Sequence, residues 1–335
     1  MKRILIPAVA LAITGGATFA ADLPSRKAPA YLPPPPPPPM WTGFYVGLNA
    51  GGTWANSNSI QMAAFGVPQT TDFYGFGTSV TGASNYALAS AAALTGNLNA
   101  SSSAGFIGGG QIGYNWQFYT SFVAGMEADI QGMTSSSGSR TAVTAVPLPV
   151  DGWWAPGTVL TSAVSASSRL DYIGTVRGRL GWLVTPTLLL YGTGGLAYGG
   201  VSANLAYAQW NNNGNFYPDP FTTLNTFGPA SGVANFSNTQ VGWTAGGGLE
   251  WMFWPNWSAK VEYLYYDLGS IRVSSAISAP YNVAEIPGPG GFPAFSGIWA
   301  TTLTTASMRF NGNIVRAGVN YHFNWGAPAP VVAKY

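Results

Sequence analysis

The sequence predicts an all-β fold: an eight-stranded antiparallel transmembrane β-barrel with short periplasmic turns and long extracellular loops. Three observations predict it. Only 7% of the 335 residues are charged, against about 25% in an ordinary soluble domain. Yet beyond the first twenty residues no run offers the ~18 consecutive apolar residues of a membrane helix. Eight segments alternate apolar and polar residues with the two-residue period of a strand. Their connections alternate between tight turns and long stretches rich in Gly, Ser, Thr, Ala, Asn and Pro, as in outer-membrane barrels. Sparse charge without an apolar helix leaves the closed barrel, with every backbone group paired, as the structure able to cross lipid.

Residues 1–20 read as a secretion signal. Lys2 and Arg3 form its positive start, Ile4 through Ile13 its apolar core, and Thr18-Phe19-Ala20 a small-x-small cleavage site. About ten apolar residues are too few to span ~30 Å. Without Lys2 and Arg3 the chain has eleven basic and eleven acidic residues, so nothing supports a nucleic-acid partner. Residues 21–40 contain the run Pro33 to Pro39, which favours a stiff polyproline II rod of roughly 20 Å at ~3.1 Å per residue. It reads as a periplasmic linker, or else as a docking site for a proline-binding or cell-wall partner. The chain has no cysteine, hence no disulfide framework and no thiolate metal site.

The barrel is expected over 41–325, followed by a periplasmic tail over 326–335. Its strands are predicted at Trp41 to Trp54, Ala104 to Phe118, Ser121 to Met133, Ser168 to Val184, Thr187 to Val201, Thr239 to Trp254 and Asn256 to Leu268. The eighth ends at Trp325. The turns at Phe118 to Thr120, Thr185-Pro186-Thr187 and Trp254-Pro255-Asn256 are tight, and turns tolerate proline. An even strand number returns both ends to the periplasm. Trp41, Trp116, Trp182, Trp251, Trp254, Trp257 and Trp325 all map to that rim, as an aromatic girdle at one membrane interface should.

The last strand shows the sidedness clearly. Val315, Ala317, Val319, Tyr321, Phe323 and Trp325 share one face; Arg316, Gly318, Asn320, His322 and Asn324 share the other. Applied to every strand, the same alternation sends Glu127, Asp129, Arg169, Asp171, Arg177, Arg179, Glu250, Lys260, Glu262 and Arg316 to the lumen. A lipid-facing Arg or Lys near the midplane costs ~2–4 kcal/mol. An eight-stranded barrel is only just filled by side chains, so these charges read as a polar plug, with a narrow solute or ion path as the alternative. Arg177, Glu262, Lys260, Glu250 and Glu127 are expected at similar heights.

Several segments resemble the alphaproteobacterial outer-membrane β-barrel family, often labelled outer-membrane immunogenic or porin-family proteins. They are Trp41-Thr42-Gly43-Phe44-Tyr45-Val46-Gly47, Gly113-Tyr114-Asn115-Trp116, Glu127-Ala128-Asp129-Ile130, Val176-Arg177-Gly178-Arg179-Leu180-Gly181, Tyr191-Gly192-Thr193-Gly194-Gly195-Leu196-Ala197-Tyr198 and the final strand. The resemblance implies an outer-membrane barrel with exposed antigenic loops and no shared catalytic site. Barrels of this sort finish on an aromatic that the assembly machinery reads. Tyr321, Phe323 and Trp325 would be that signal, but Gly326 to Tyr335 follow, so either Trp325 is read internally or Tyr335 substitutes.

Other chemistry has weaker claims. His322, the only histidine, is expected as a hydrogen-bonded lumen residue near the periplasmic rim. Gly108-Gly109-Gly110-Gln111-Ile112-Gly113 matches the dinucleotide pattern but lies in a strand with no helix after it, where the pyrophosphate chemistry has no helix N-terminus to use. The loops Ala55 to Ser103, Thr134 to Ser167, Ser202 to Asn238 and Gly269 to Ser307 are expected to be solvated, with adhesion, recognition or a lid over the lumen as alternatives. The expectation is a non-enzymatic barrel in the Gram-negative outer membrane, with no cofactor. It would contribute to envelope structure and present surface loops, with lipid and the barrel-assembly machinery as partners. The alternative is a narrow porin for small solutes or ions.

Overall fold

The structure, a computed structural model, describes residues 41–56, 59–67, 78–99, 104–134, 138–148, 157–212, 225–283 and 295–323. The expected signal (1–20), proline segment (21–40), Trp325 and the tail 326–335 lie outside the described residues.

In chain order the elements are β1 (Gly43–Ala55), β2 (Ser59–Val67), α1 (Thr78–Leu94), β3 (Gly96–Asn99), β4 (Gly105–Phe118), β5 (Phe122–Thr134) and β6 (Gly138–Pro147). They continue with β7 (Val159–Thr185), β8 (Leu188–Asn211), β9 (Asn225–Phe227), β10 (Ala230–Trp254), β11 (Trp257–Val283) and β12 (Phe295–Phe323). All strand pairings are antiparallel. They run from β1 through β4, β5, β7, β8, β10 and β11 to β12, which pairs back with β1 and closes the ring. β2, β6 and β9 join it laterally through β12, β7 and β11, and β3 extends β2. Following aligned partners around the ring from Gly43 leads back to β1 at Thr53, ten residues further along. This stagger is the shear that tilted strands need in order to close.

Local sequence explains the turns. Tyr119 and Thr120 both have positive φ (46° and 40°), the twist that a two-residue hairpin connection demands. Pro186 and Pro255 sit in the β7–β8 and β10–β11 turns, where no ladder donor is needed.

The ring strands depart from expectation in length. β7, β8, β10, β11 and β12 reach 24 to 29 residues, so much of the sequence expected as loop at 134–167, 202–238 and 269–307 is strand. The reason is an inversion of polarity. In the turn-proximal half, side chains alternate polar inward and apolar outward. Beyond it the inward positions become mainly apolar, such as Leu160, Val164, Val201, Leu205, Ile271 and Ile277, while most outward ones become Ser, Thr, Asn and Ala. That second pattern is the one an ordinary water-facing sheet shows.

Two β-bulges lie near the change. One falls between Leu170 and Tyr172 on β7, the other between Asp267 and Ser270 on β11. An extra residue reverses which positions face inward. On β7, Ile173, Thr175 and Arg177 are buried on one side of the bulge, and Ser162, Val164 and Ala166 on the other.

The first expected loop also contains an unforeseen helix. α1 is rich in alanine, the strongest helix former. It ends where Thr95 donates through both its backbone N–H (3.0 Å) and its hydroxyl (2.8 Å) to the Ala91 carbonyl. Tyr86, Ala87, Ala89 and Leu94 join the apolar core with Ile60, Met62, Leu160 and Val164. Ser90 Oγ donates to Gln209 Oε1 on β8 (2.8 Å), and the Thr302 hydroxyl on β12 donates to the Ala87 carbonyl (3.2 Å). α1 therefore spans the interior of the distal half.

Candidate functional site

The inward-facing residues form three layers. Nearest the turns, Trp41, Val123, Leu183, Leu189, Tyr191 and Met252 pack into a small apolar cluster. Above it stands an ionic layer, and above that the apolar core containing α1.

The ionic layer balances four cations, Arg177, Arg179, Lys260 and Arg316, against four carboxylates, Glu127, Asp129, Glu250 and Glu262, all buried. Strand alternation supplies them from β5, β7, β10, β11 and β12. Arg177 is the hub. Its Nη1 donates to Glu262 Oε1 (2.9 Å), its Nη2 to Glu127 and to Asp129 Oδ2 (3.0 Å), and its Nε to Thr175 Oγ1 (2.9 Å). Arg316 donates from Nε to Glu262 Oε2 (2.8 Å) and from Nη2 to Asp129 Oδ2 (2.7 Å). Lys260 Nζ donates to both oxygens of Glu127 (2.8 and 2.9 Å).

Arg179 forms a second centre. Its Nη2 pairs with Glu250 Oε2 (2.5 Å) and its Nη1 donates to the Tyr45 hydroxyl (3.0 Å), while its guanidinium lies 4.3 Å from the Tyr191 ring centroid. Tyr45 donates in turn to Glu127 Oε2 (2.6 Å) and Tyr191 to Glu262 Oε1 (3.1 Å), so the two centres are joined. Gly113 makes this possible: a Cβ there would collide with the Tyr45 ring.

Not every residue expected in the lumen is there. Arg169 and Asp171 form an exposed pair (2.7 Å; side chains 54% and 40% exposed), because Asp171 is the bulge residue and Arg169 lies beyond the reversal. Trp41 departs from the expected girdle. It precedes β1, so strand alternation does not govern it, and it turns inward, where Nε1 donates to the Pro186 carbonyl (3.1 Å). Trp116, Trp182, Trp251, Trp254 and Trp257 are outward and exposed, as are Tyr321 and the lipid-type residues Phe44, Leu48, Ile112, Met126 and Leu180. The glycine-rich 108–113 segment lies within β4, with no helix behind it.

His322 is buried, with its ring 5.8 Å from Trp41 and 5.4 Å from Tyr45. Its Nε2 lies 2.9 Å from Ser258 Oγ, and that hydroxyl is 2.5 Å from Glu250. A serine, a histidine and an acid meet here, but not as a nucleophilic triad. There the acid orients the histidine through its other nitrogen, whereas here Glu250 also approaches Nε2 (3.4 Å), and all three residues are enclosed. Among the described residues no group of three or more His, Cys, Asp or Glu side chains is arranged to hold a metal ion.

Sequence reasoning missed the polar partners Tyr45, Tyr191 and Ser258, whose neutral side chains gave no charge signal, and placed Asn320 on the inner face without foreseeing that its Nδ2 donates to Glu250 Oε1 (2.8 Å).

Residues 39–323 match the family model described as the outer membrane protein beta-barrel domain. The chain is 31% identical over 270 residues to the 31 kDa outer-membrane immunogenic protein of Brucella melitensis biotype 1, covering 80% of this chain and 88% of that one. The same figures hold for the protein of that name from Brucella suis biovar 1. Among solved structures, OprG from Pseudomonas aeruginosa matches with a TM-score of 0.32 and 9% identity, over 85% of this chain and 98% of OprG. Ail of Yersinia pestis matches with a TM-score of 0.24 and 10% identity, over 82% and 99%.

Proposed function

We propose, from the premise that this chain belongs to the outer membrane protein β-barrel family, that it is an eight-stranded barrel with a closed lumen whose work is done on its outside. It would stiffen the envelope and hold a folded surface structure outside the cell. The observation that carries this reading is the ionic layer: four cations and four carboxylates neutralise one another across the barrel's width, between an apolar cluster and an apolar core. Charges desolvated to this extent persist when paired and hydrogen-bonded, and an ion crossing the layer would have to break those pairs.

The family is one of outer-membrane proteins, and the short turns and the outward Trp116, Trp182, Trp251, Trp254 and Trp257 support a periplasmic position for that rim. On β7, Trp182 and the bulge at Asp171 are eleven residues apart. At ~3.3 Å per residue and ~40° tilt this projects to roughly 28 Å, close to the ~25 Å apolar band of such barrels. The name of the Brucella relatives, outer-membrane immunogenic protein, supports exposure of the distal half to the outside. Tyr321 and Phe323, with Trp325 beyond them, are the aromatics proposed for recognition by the assembly machinery.

Single-channel recording of the refolded protein in a planar bilayer tests closure, with insertion verified by heat-modifiable migration on a denaturing gel. The expected record is silent. Discrete, reproducible steps would overturn closure in favour of a narrow porin, with Arg177 and Glu262 as the first selectivity candidates.

A further inference from the structure

We propose that the outer face of β11 and β12, immediately beyond the apolar belt, binds the phosphate groups of anionic lipid in the outer leaflet, with Arg272 and Arg309 as its cationic pair. This rests on the membrane-spanning reading above and adds a ligand to it.

Among the described residues the outward-facing charges are confined to the distal side of the belt. They are Arg169, Asp171, Arg272 and Arg309 near its edge, Asp267 tucked beneath Arg309, and Arg140 on β6. On β12, Arg309 stands twelve residues from the girdle residue Tyr321. This projects to roughly 30 Å at ~3.3 Å per residue and ~40° tilt. The level is just past the hydrocarbon, where lipid headgroups begin.

The register gathers a patch at this level. Ser270 faces Arg309, Arg272 faces Ser307, and Ser274 faces Thr305. Beyond the bulge, even positions of β11 and odd positions of β12 share the outer face, so the two arginines are diagonal neighbours. Diagonal positions lie ~7–8 Å apart, near enough for two long side chains to meet on one anion. Hydroxyls flank them, including the Ser274–Thr305 pair (3.2 Å).

The bulge itself builds part of the site. Gly269, at φ 80°, adopts the left-handed conformation that glycine permits, and its N–H donates to Asp267 Oδ1 (2.9 Å). Asp267 holds Arg309 through Nη2 and, at 3.5 Å, Nε. One edge of this guanidinium is thereby fixed, while the side chain stays 55% exposed. Arg272 is exposed and forms no ion pair among the described residues.

The planar fork of arginine matches phosphate in a bidentate way that a lysine point charge does not. A lipid is the fitting source because Tyr263, Tyr265 and Trp243 continue the same wall directly below. A molecule with acyl chains beneath a phosphate meets both surfaces at once.

The test is a native mass-spectrometry titration of the refolded mature protein in detergent with bis-phosphorylated lipid A. Wild type should hold the lipid at a concentration about tenfold or more below that required by R272A/R309A. Lipid A stripped of phosphate should bind both proteins equally, and R140A should behave as wild type. Equal retention of phosphorylated and stripped lipid by wild type would overturn the proposal. So would displacement of the lipid by inorganic phosphate at equal concentration, which would make this a free-phosphate site. Should the double variant not refold, R272E, at an exposed position with no ion pair among the described residues, takes its place and should lose the lipid to the same extent. Heat-modifiable migration is read in parallel: its absence in wild type counts against the spanning barrel, whereas its presence with no phosphate preference counts against the patch alone.

Discussion

Glu262 accepts hydrogen bonds from Arg177, Arg316 and Tyr191. Neutralising it strands positive charge in a buried site, and breaking a buried pair costs roughly 3–5 kcal/mol. Glu262→Gln is therefore expected to lower the urea midpoint for loss of the heat-modifiable band by an amount of that order. An unchanged midpoint would show that the layer does not hold the barrel together. Arg169 and Asp171 offer the internal contrast, since an exposed ion pair contributes ~0–1 kcal/mol. Arg169→Ala should leave the same midpoint nearly where it was. A glycine matters as much as the charges: Gly113→Val would push the Tyr45 ring out of its slot and break its bond to Glu127. That variant should refold poorly even though no charge has changed.

Among the elements, α1 is the one that ties opposite walls of the distal half together. Leu94 is buried in its core face, and truncating a buried leucine costs about 2–5 kcal/mol. Leu94→Ala should speed proteolysis of the distal segments while leaving the heat-modifiable band intact; equal loss of both would mean that α1 also supports the membrane section. The turn-proximal strands were legible in the sequence because their alternation is strict and their turns short, and the charges in them that are brought together follow from that alternation. What escaped has definite physical causes. A one-residue bulge reverses sidedness with no mark in composition, so Arg169 and Asp171 were assigned to the wrong side. Trp41 lies outside any strand and answers to a carbonyl in another turn. The distal strands carry a water-facing pattern of Ser, Thr and Asn that reads as loop when the lipid-facing pattern is the one being sought. α1 is built from alanine and small polar residues, and only its placement in the barrel gives it a buried face.

Over the whole molecule, two interiors of opposite character share one continuous wall, an ionic one where the outside is apolar and an apolar one where the outside is polar. Each half thus places its unlike surfaces on opposite sides of the same strands. Regions with different contacts can open separately, and urea is expected to unfold the distal half, followed by protease sensitivity, before the band shift is lost. Coincident transitions would show a single cooperative unit instead. The length of that wall also sets a distance. β11 has 27 residues, a projected height of roughly 68 Å at ~3.3 Å per residue and ~40° tilt; subtracting the ~25 Å apolar band leaves about 40 Å of ordered strand beyond the lipid. In the proposed orientation, a partner outside the cell would meet this wall as an ordered mast. Because folding has already ordered that mast, its capture would demand little of the ordering entropy that a flexible tether loses on being bound.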